Sequence, residues 1–175
     1  MKPDLYFITG ISGSGKTTVA RKLVELGEIA LDSKIQKGLF YFADKDGNQP
    51  GDYQPNNNDW MEKYHWILNK PIFDNLVEQN NTAKRVFLCG GADDLIQYWP
   101  QGEEVFLLKV DGETMLKRLR EEKRDNSFGK DKQTQDRLLE RLDRFQDKMV
   151  RLGAIPIDAK KSVDEIIKII LEQAK

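Results

Sequence analysis

The stretch FITGISGSGKTTVARKL, Phe7–Leu23, carries an apolar run into a loop with three glycines and an amphipathic segment out of it. Within it Gly10, Ile11, Ser12, Gly13, Ser14, Gly15, Lys16 and Thr17 fill the P-loop pattern G-x-x-x-x-G-K-S/T. Phosphate oxygens must be met by several backbone N–H groups at once, and side chains would obstruct that approach. Glycine permits both the close approach and the unusual backbone angles. A helix that begins where the loop ends adds unpaired N–H groups and the positive end of its dipole. This reading assigns Gly10, Ser12, Gly13, Ser14, Gly15, Lys16, Thr17 and Thr18 to a nucleotide. Lys16 reaches the β- and γ-phosphates and is also a catalytic candidate, and the Thr17 hydroxyl ligates Mg²⁺. The flanks agree: Leu5–Ile8 reads as a buried strand, Val19, Ala20, Leu23 and Val24 recur at helical spacing, and Gly27 sits at a helix C-cap.

The composition bounds the rest. The chain has 175 residues, 39% hydrophobic and 33% charged, which suits one soluble domain with a real core. A net charge of −1, from 28 basic and 29 acidic residues, argues against holding nucleic acid by bulk electrostatics. The lone Cys89 excludes an internal disulfide framework and fits a reducing compartment. The opening MKPDLYFITG is too short in apolar residues for a signal peptide, and no stretch approaches a membrane span. The expected location is cytoplasmic, with no membrane partner.

Further strands are expected at Glu28–Asp32, Arg85–Cys89, Glu104–Val110 and within AIPID, 154–158. They are apolar runs, as in a parallel sheet covered on both faces, and they alternate with helical patterns, which gives an α/β fold. A long polar loop is expected over 44–59. A helix is expected from Asp59, with Trp60, Tyr64, Ile67 and Leu68 on one face and a break at Pro71 before Ile72–Val77. Others should start at Asp111, carrying Met115, Leu116 and Leu119 inward, and along the stripe Leu138, Leu142, Phe145, Met149 and Leu152. Ser162 and Glu165 form a capping box for the last helix. The segment Arg120–Gln135 is charged and poor in apolar residues, which reads as exposed and mobile. Gly10, Asp32 and Gly90 all fall at strand carboxyl ends, where such sheets bind nucleotides.

In this order the signals resemble the small P-loop kinases of the adenylate, shikimate and gluconate kinase superfamily. These signals are a P-loop near the start, Asp32 after the second strand, Gly90 and Gly91 after the third, an arginine-rich segment after the fourth and IDAKK after the fifth. HWILNKP, VFLCGG, NSFGK and GAIPIDA look like a group of nucleotide-kinase-like ATP-binding proteins within it. The resemblance implies a three-layer P-loop kinase fold with a five-stranded parallel sheet, as a single domain over 1–175. It also implies an acceptor-binding insertion at about 35–80 and a mobile lid at about 120–132. It implies that Arg120 and Arg124, four apart on a helix end, stack on adenine or clamp the transferring phosphoryl group, with Lys123 and Lys130 adding charge. The other reading of those arginines is a solvated helix end. Ala159 and Lys160 would lie near the base, or in an ordinary turn.

By the same resemblance Asp32 is a catalytic base or a metal ligand, and otherwise a cap for a following helix; Lys34 stands where those kinases often carry a second Asp. Gly90 and Gly91 look like an acceptor-binding turn, one glycine short. Cys89 ends the strand where a Walker-B Asp would stand, and Asp93 or Asp94 could hold a metal-bound water. His65 reads as a packed or half-exposed side chain rather than a catalytic base, Cys89 as a small core residue, and Trp60, Trp66, Phe40 and Tyr41 as core or as an acceptor pocket. NKPI at Asn69 lacks the Asp of a guanine motif. The expected function is an ATP- and Mg²⁺-dependent phosphotransferase that moves the γ-phosphoryl group to a small hydroxyl or phosphate acceptor of nucleoside, nucleotide or sugar-acid type. The alternatives are a kinase of an RNA end or other large acceptor, and a regulatory ATP-binding protein. Nucleic acid enters only as an acceptor. Neither the acceptor nor an oligomeric state follows from the sequence.

Overall fold

In the computed structural model, which describes residues 2–54, 57–91, 94–121 and 128–175, the five apolar runs line up as one parallel sheet. Its strands are β1 (Asp4–Thr9), β2 (Ile29–Asp32), β5 (Arg85–Cys89), β6 (Glu104–Lys109) and β7 (Ile155–Asp158), in the order β2-β5-β1-β6-β7. Alternation along the strands explains why the runs are apolar throughout. Tyr6, Ile8, Phe87, Phe106 and Leu108 face one core with α1 (Lys16–Glu25), α4 (Gly112–Arg120) and α6 (Val163–Gln173). Phe7, Val86, Leu88, Val105 and Leu107 face a second core with α3 (Lys70–Gln79), α5 (Lys132–Arg151) and a 3₁₀ turn at Leu95–Gln101. A strand buried on both faces has no polar side to show. β1 is central, with β5 on one side and β6 on the other, so its carboxyl end opens at the middle of the sheet edge.

The caps are local. Asp111 accepts from the Thr114 amide at 2.7 Å and Asp131 from the Thr134 amide at 2.8 Å. Ser162 and Glu165 form the expected capping box. On α5, Leu142 and Met149 are buried as the stripe requires, whereas Leu152, expected inward, is 48% exposed beyond the helix end. Val24, in the last turn of α1, is 46% exposed.

The segment between β2 and β5 departs from expectation. The helix expected from Asp59 through Leu68 is only α2 (Asn58–Lys63). His65–Leu68 is strand β4, antiparallel to β3 (Phe40–Ala43), with Phe40 opposite Leu68 and Phe42 opposite Trp66. Apolar residues at 60, 64, 67 and 68 fit a helical face, but pairing with a strand more than twenty residues earlier wins, and Tyr64 is extended (φ −110°, ψ 126°). Pro71 does not break a helix; it lies in the first turn of α3, where its missing N–H costs nothing.

Candidate functional site

The P-loop joins β1 to α1. Gly13 and Gly15 have φ of +85° and +101°, left-handed backbone that L side chains rarely adopt. A Cβ on Gly10 would run into Ser14 Oγ and the Leu108 carbonyl. Gly15 is the N-cap of α1 with no side-chain cap, and no acid stands in the first turn. No side chain therefore competes with an anion for the first-turn amides. The Ser14 hydroxyl is buried in the loop with no hydrogen-bond partner among the described residues. Lys16 Nζ donates to the Gly10 and Ile11 carbonyls at 2.7 and 3.0 Å, so the ammonium lies over the loop it serves. Ser12 is half-buried and Thr18 exposed.

Asp32 ends β2 and is 3% exposed. The Thr17 hydroxyl lies 3.3 and 3.2 Å from its two carboxylate oxygens, and the Lys34 amide donates to Oδ1 at 2.8 Å. The Asp32 carbonyl accepts from the Ile35 and Gln36 amides, and its own amide donates to Gln36 Oε1. The segment that follows is a turn, so the helix that Asp32 was to cap is absent, and the carboxylate caps the turn instead. Cys89 pairs with Asp32 across the sheet. Burial pushes the Cys89 thiol well above its ordinary pKa, the Asp32 charge adds to the rise, and Lys16 opposes it. The place of a Walker-B carboxylate thus holds a neutral group. Thr17 and Asp32 supply the hard oxygens that Mg²⁺ takes, and among the described residues no cluster of three or more His, Cys, Asp or Glu side chains offers a cage. That donor set fits an ion that keeps water and phosphate as its remaining ligands.

Gly90 and Gly91 lie between the P-loop and the hairpin. The Gly90 amide donates to the Ile8 carbonyl at 3.0 Å, and a Cβ on Gly90 would meet the Phe40 ring at 2.5 Å. A Cβ on Gly91 would lie 3.0 Å from the Gly10 carbonyl and 3.6 Å from Lys16 Nζ. Asp94 accepts from the Leu68 amide at 3.0 Å and from Gln97 at 3.4 Å, so it tethers β4. His65 is exposed on β4. Arg124, Lys123 and Asp93, and with them residues 122–127 of the expected lid, lie outside the described residues.

Arg118, which the sequence reading passed over, sits where α4 meets the P-loop. It donates to the Gly13 and Ser14 carbonyls at 3.5 and 3.2 Å and to the Ala159 carbonyl at 2.6 Å. The signal was present: Arg118 falls three residues after the buried Met115 and beside the buried Leu119, on the inward flank of α4. Arg120 donates from Nε and Nη2 to Gln135 Oε1 at 3.0 and 2.9 Å, and Gln135 donates to the Gly129 and Lys130 carbonyls. Ala159 is buried, and its amide donates to the Lys109 carbonyl at 2.8 Å. Lys160 Nζ lies 3.1 Å from Asp111 Oδ2. The Thr114 amide and hydroxyl, then Lys160, hold the Asp111 carboxyl down to about 2.

A family model described as an AAA domain matches residues 7–144. No curated relative matches the chain. Among solved structures, deoxyadenosine kinase from M. mycoides with bound dATP aligns at 13% identity and a TM-score of 0.53, over 97% of this chain and 98% of that one. Shikimate kinase from Acinetobacter baumannii in complex with shikimate aligns at 22% and 0.52, over 98% and 94%. Shikimate kinase from Bacteroides thetaiotaomicron aligns at 17% and 0.54, over 97% of both chains. At these identities the likeness shows the fold, which is that of the small P-loop kinases.

Proposed function

The chain belongs to the AAA domain family, and on that premise we propose that it is an ATP-dependent phosphotransferase acting on a small molecule. The kinase fold it shares with enzymes of nucleoside and shikimate chemistry supports the reading. The observation that carries it is the Thr17–Asp32 pair behind a glycine loop whose lysine lies beside Gly91. The P-loop amides and Lys16 bind the β- and γ-phosphates. Arg118 fixes the P-loop against the Ala159 loop, where adenine is held. Thr17 and Asp32 would hold Mg²⁺, which neutralises charge on the phosphates when bound. The acceptor hydroxyl approaches past Gly91. Its oxygen bonds to the γ-phosphorus, the bond from that phosphorus to the bridging oxygen breaks, and ADP leaves. Where Asp32 serves as the base rather than as the metal ligand, it takes the hydroxyl proton, directly or through water. Catalysis here is positioning and electrostatics.

The test is ADP release from ATP·Mg²⁺ alone and with pooled nucleosides, nucleoside monophosphates and sugar acids. Stimulation of tenfold or more by one pool is expected. Equal turnover with and without every pool would make the protein an ATPase and end the kinase reading.

A further inference from the structure

The class of acceptor is written in the segment between β2 and β5. Between Arg21 and Arg85 the chain carries no arginine. Acceptors that bring a carboxylate or a phosphate are held by planar, bidentate guanidinium forks. The lysines there offer no planar fork: Lys70 is paired with Asp74 at 2.5 Å, Lys63 lies 5.0 Å from the centre of the Tyr64 ring, and Lys34, Lys37, Lys45 and Lys84 are exposed point charges.

The segment is rich in rings instead. Phe40 rests on Gly90 and stacks on Trp66, with centroids 6.0 Å apart and planes 18° apart. Phe42 follows at 4.8 Å from Trp66, and Trp60 at 5.0 Å from Phe42. The row starts at the turn beside Lys16 and runs outward along one face of the hairpin. Rings serving only as a local core would be closed off. Here Phe40 and Trp60 are buried, whereas Phe42 and Trp66 keep open surface and Tyr53 is 48% exposed. Stacking on such a platform selects a flat π-system and is indifferent to charge.

We infer that the acceptor is an uncharged nucleoside, its base stacked on the open surface of Trp66 and Phe42 and its sugar hydroxyl turned to Asp32. This rests on the kinase reading above. A nucleoside joins a planar ring to a phosphorylatable hydroxyl without an anion to pair. An RNA end brings the same two groups but also backbone phosphates, which need cations, and residues 22–84 include no arginine to pair them.

The full-length protein, with a non-hydrolysable ATP analogue and Mg²⁺, is titrated calorimetrically with the common ribo- and deoxyribonucleosides. Their 5′-monophosphates, shikimate, gluconate and a 5′-hydroxyl RNA oligonucleotide are titrated beside them, and ADP release is measured for each with ATP. At least one nucleoside should bind tenfold or more tightly than its monophosphate and be phosphorylated. Trp66→Leu should weaken that nucleoside about tenfold, and Trp66→Phe, which keeps a ring, less than threefold. If the analogue binds and no nucleoside does, or if a monophosphate, a sugar acid or the RNA end is preferred, the inference is overturned while the kinase reading stands. If the analogue itself does not bind, both fall. Equal loss in Trp66→Leu and Trp66→Phe would remove the stacking platform.

Discussion

Asp32 accepts from a backbone amide and a hydroxyl while almost wholly buried, so two roles compete for one carboxylate: turn cap and active carboxylate. Asparagine separates them. Its side-chain oxygen still accepts from the Lys34 amide, but it takes no proton at neutral pH and is a poor Mg²⁺ ligand. Asp32→Asn is expected to stay within about 1 kcal/mol of the parent in chemical denaturation. Its turnover should fall at least a hundredfold, about 3 kcal/mol of barrier. Near-normal turnover at saturating Mg²⁺ would leave Asp32 as a turn cap alone. Gly91 is a second single-atom case. A methyl group there meets the Gly10 carbonyl at 3.0 Å and crowds Lys16. Gly91→Ala should raise the KM for ATP several-fold with little change in stability; unchanged kinetics would show that the turn has room to spare. At this scale the P-loop was fully legible, because its glycines, lysine and threonine are fixed by local backbone chemistry. Arg118 was hidden among neighbours of the same charge, since its partners are carbonyls, which leave no mark in a sequence.

Among the elements, α4 ties the P-loop to the loop after β7, through Asp111 at its start and Arg118 near its end. The folded pKa of Asp111 lies at about 2, below its ordinary 3.8. A carboxyl lowered on folding stabilises the fold above its unfolded pKa and loses that contribution as pH falls through the folded one. The α4 cap and its link to Lys160 should therefore weaken between about pH 4 and pH 2. NMR titration of the Asp111 carboxyl should give a midpoint well under 3.8. Lys160→Ala should raise it only in part, because the Thr114 amide and hydroxyl are the larger cause. A midpoint at the ordinary value would dissolve the cap. The strands of the main sheet were legible because burial on both faces writes uninterrupted apolar runs; the start of α5 was not, since Thr134 and Gln135, read as part of an exposed segment, are buried polar side chains. The hairpin was not. Four residues, His65–Leu68, satisfy helical and extended spacing alike, and what decides is a partner strand with the Asp94 tether, both remote in the chain.

For the molecule as a whole, the order of signals along the chain carried the parallel sheet but not its strand order, since βα steps that return to the same sheet edge gather Gly10, Asp32 and Gly90 at strand ends in any such order. What the order could not carry is the side-chain contact across that edge, where Arg118 joins the P-loop to the Ala159 loop. If the base sits at that loop, ligand binding should stabilise the entire fold by mass action, because the unfolded chain has no P-loop to offer. At a concentration near 100 Kd, ATP·Mg²⁺ adds about 2.7 kcal/mol, or about 5–10 °C in Tm for a chain of this size. GTP at the same concentration should give less, as no guanine motif is present. Lys16→Ala should lose most of the shift while keeping the Tm of the free protein within a few degrees, since its two hydrogen bonds go to loop carbonyls at the surface of the sheet edge. Arg118→Ala should lose part of it and Arg118→Lys should recover little, because one ammonium does not span three carbonyls set out for a planar fork. Equal shifts with ATP and GTP, or a full ATP shift in Lys16→Ala, would place the nucleotide elsewhere and detach the P-loop from the function proposed for it.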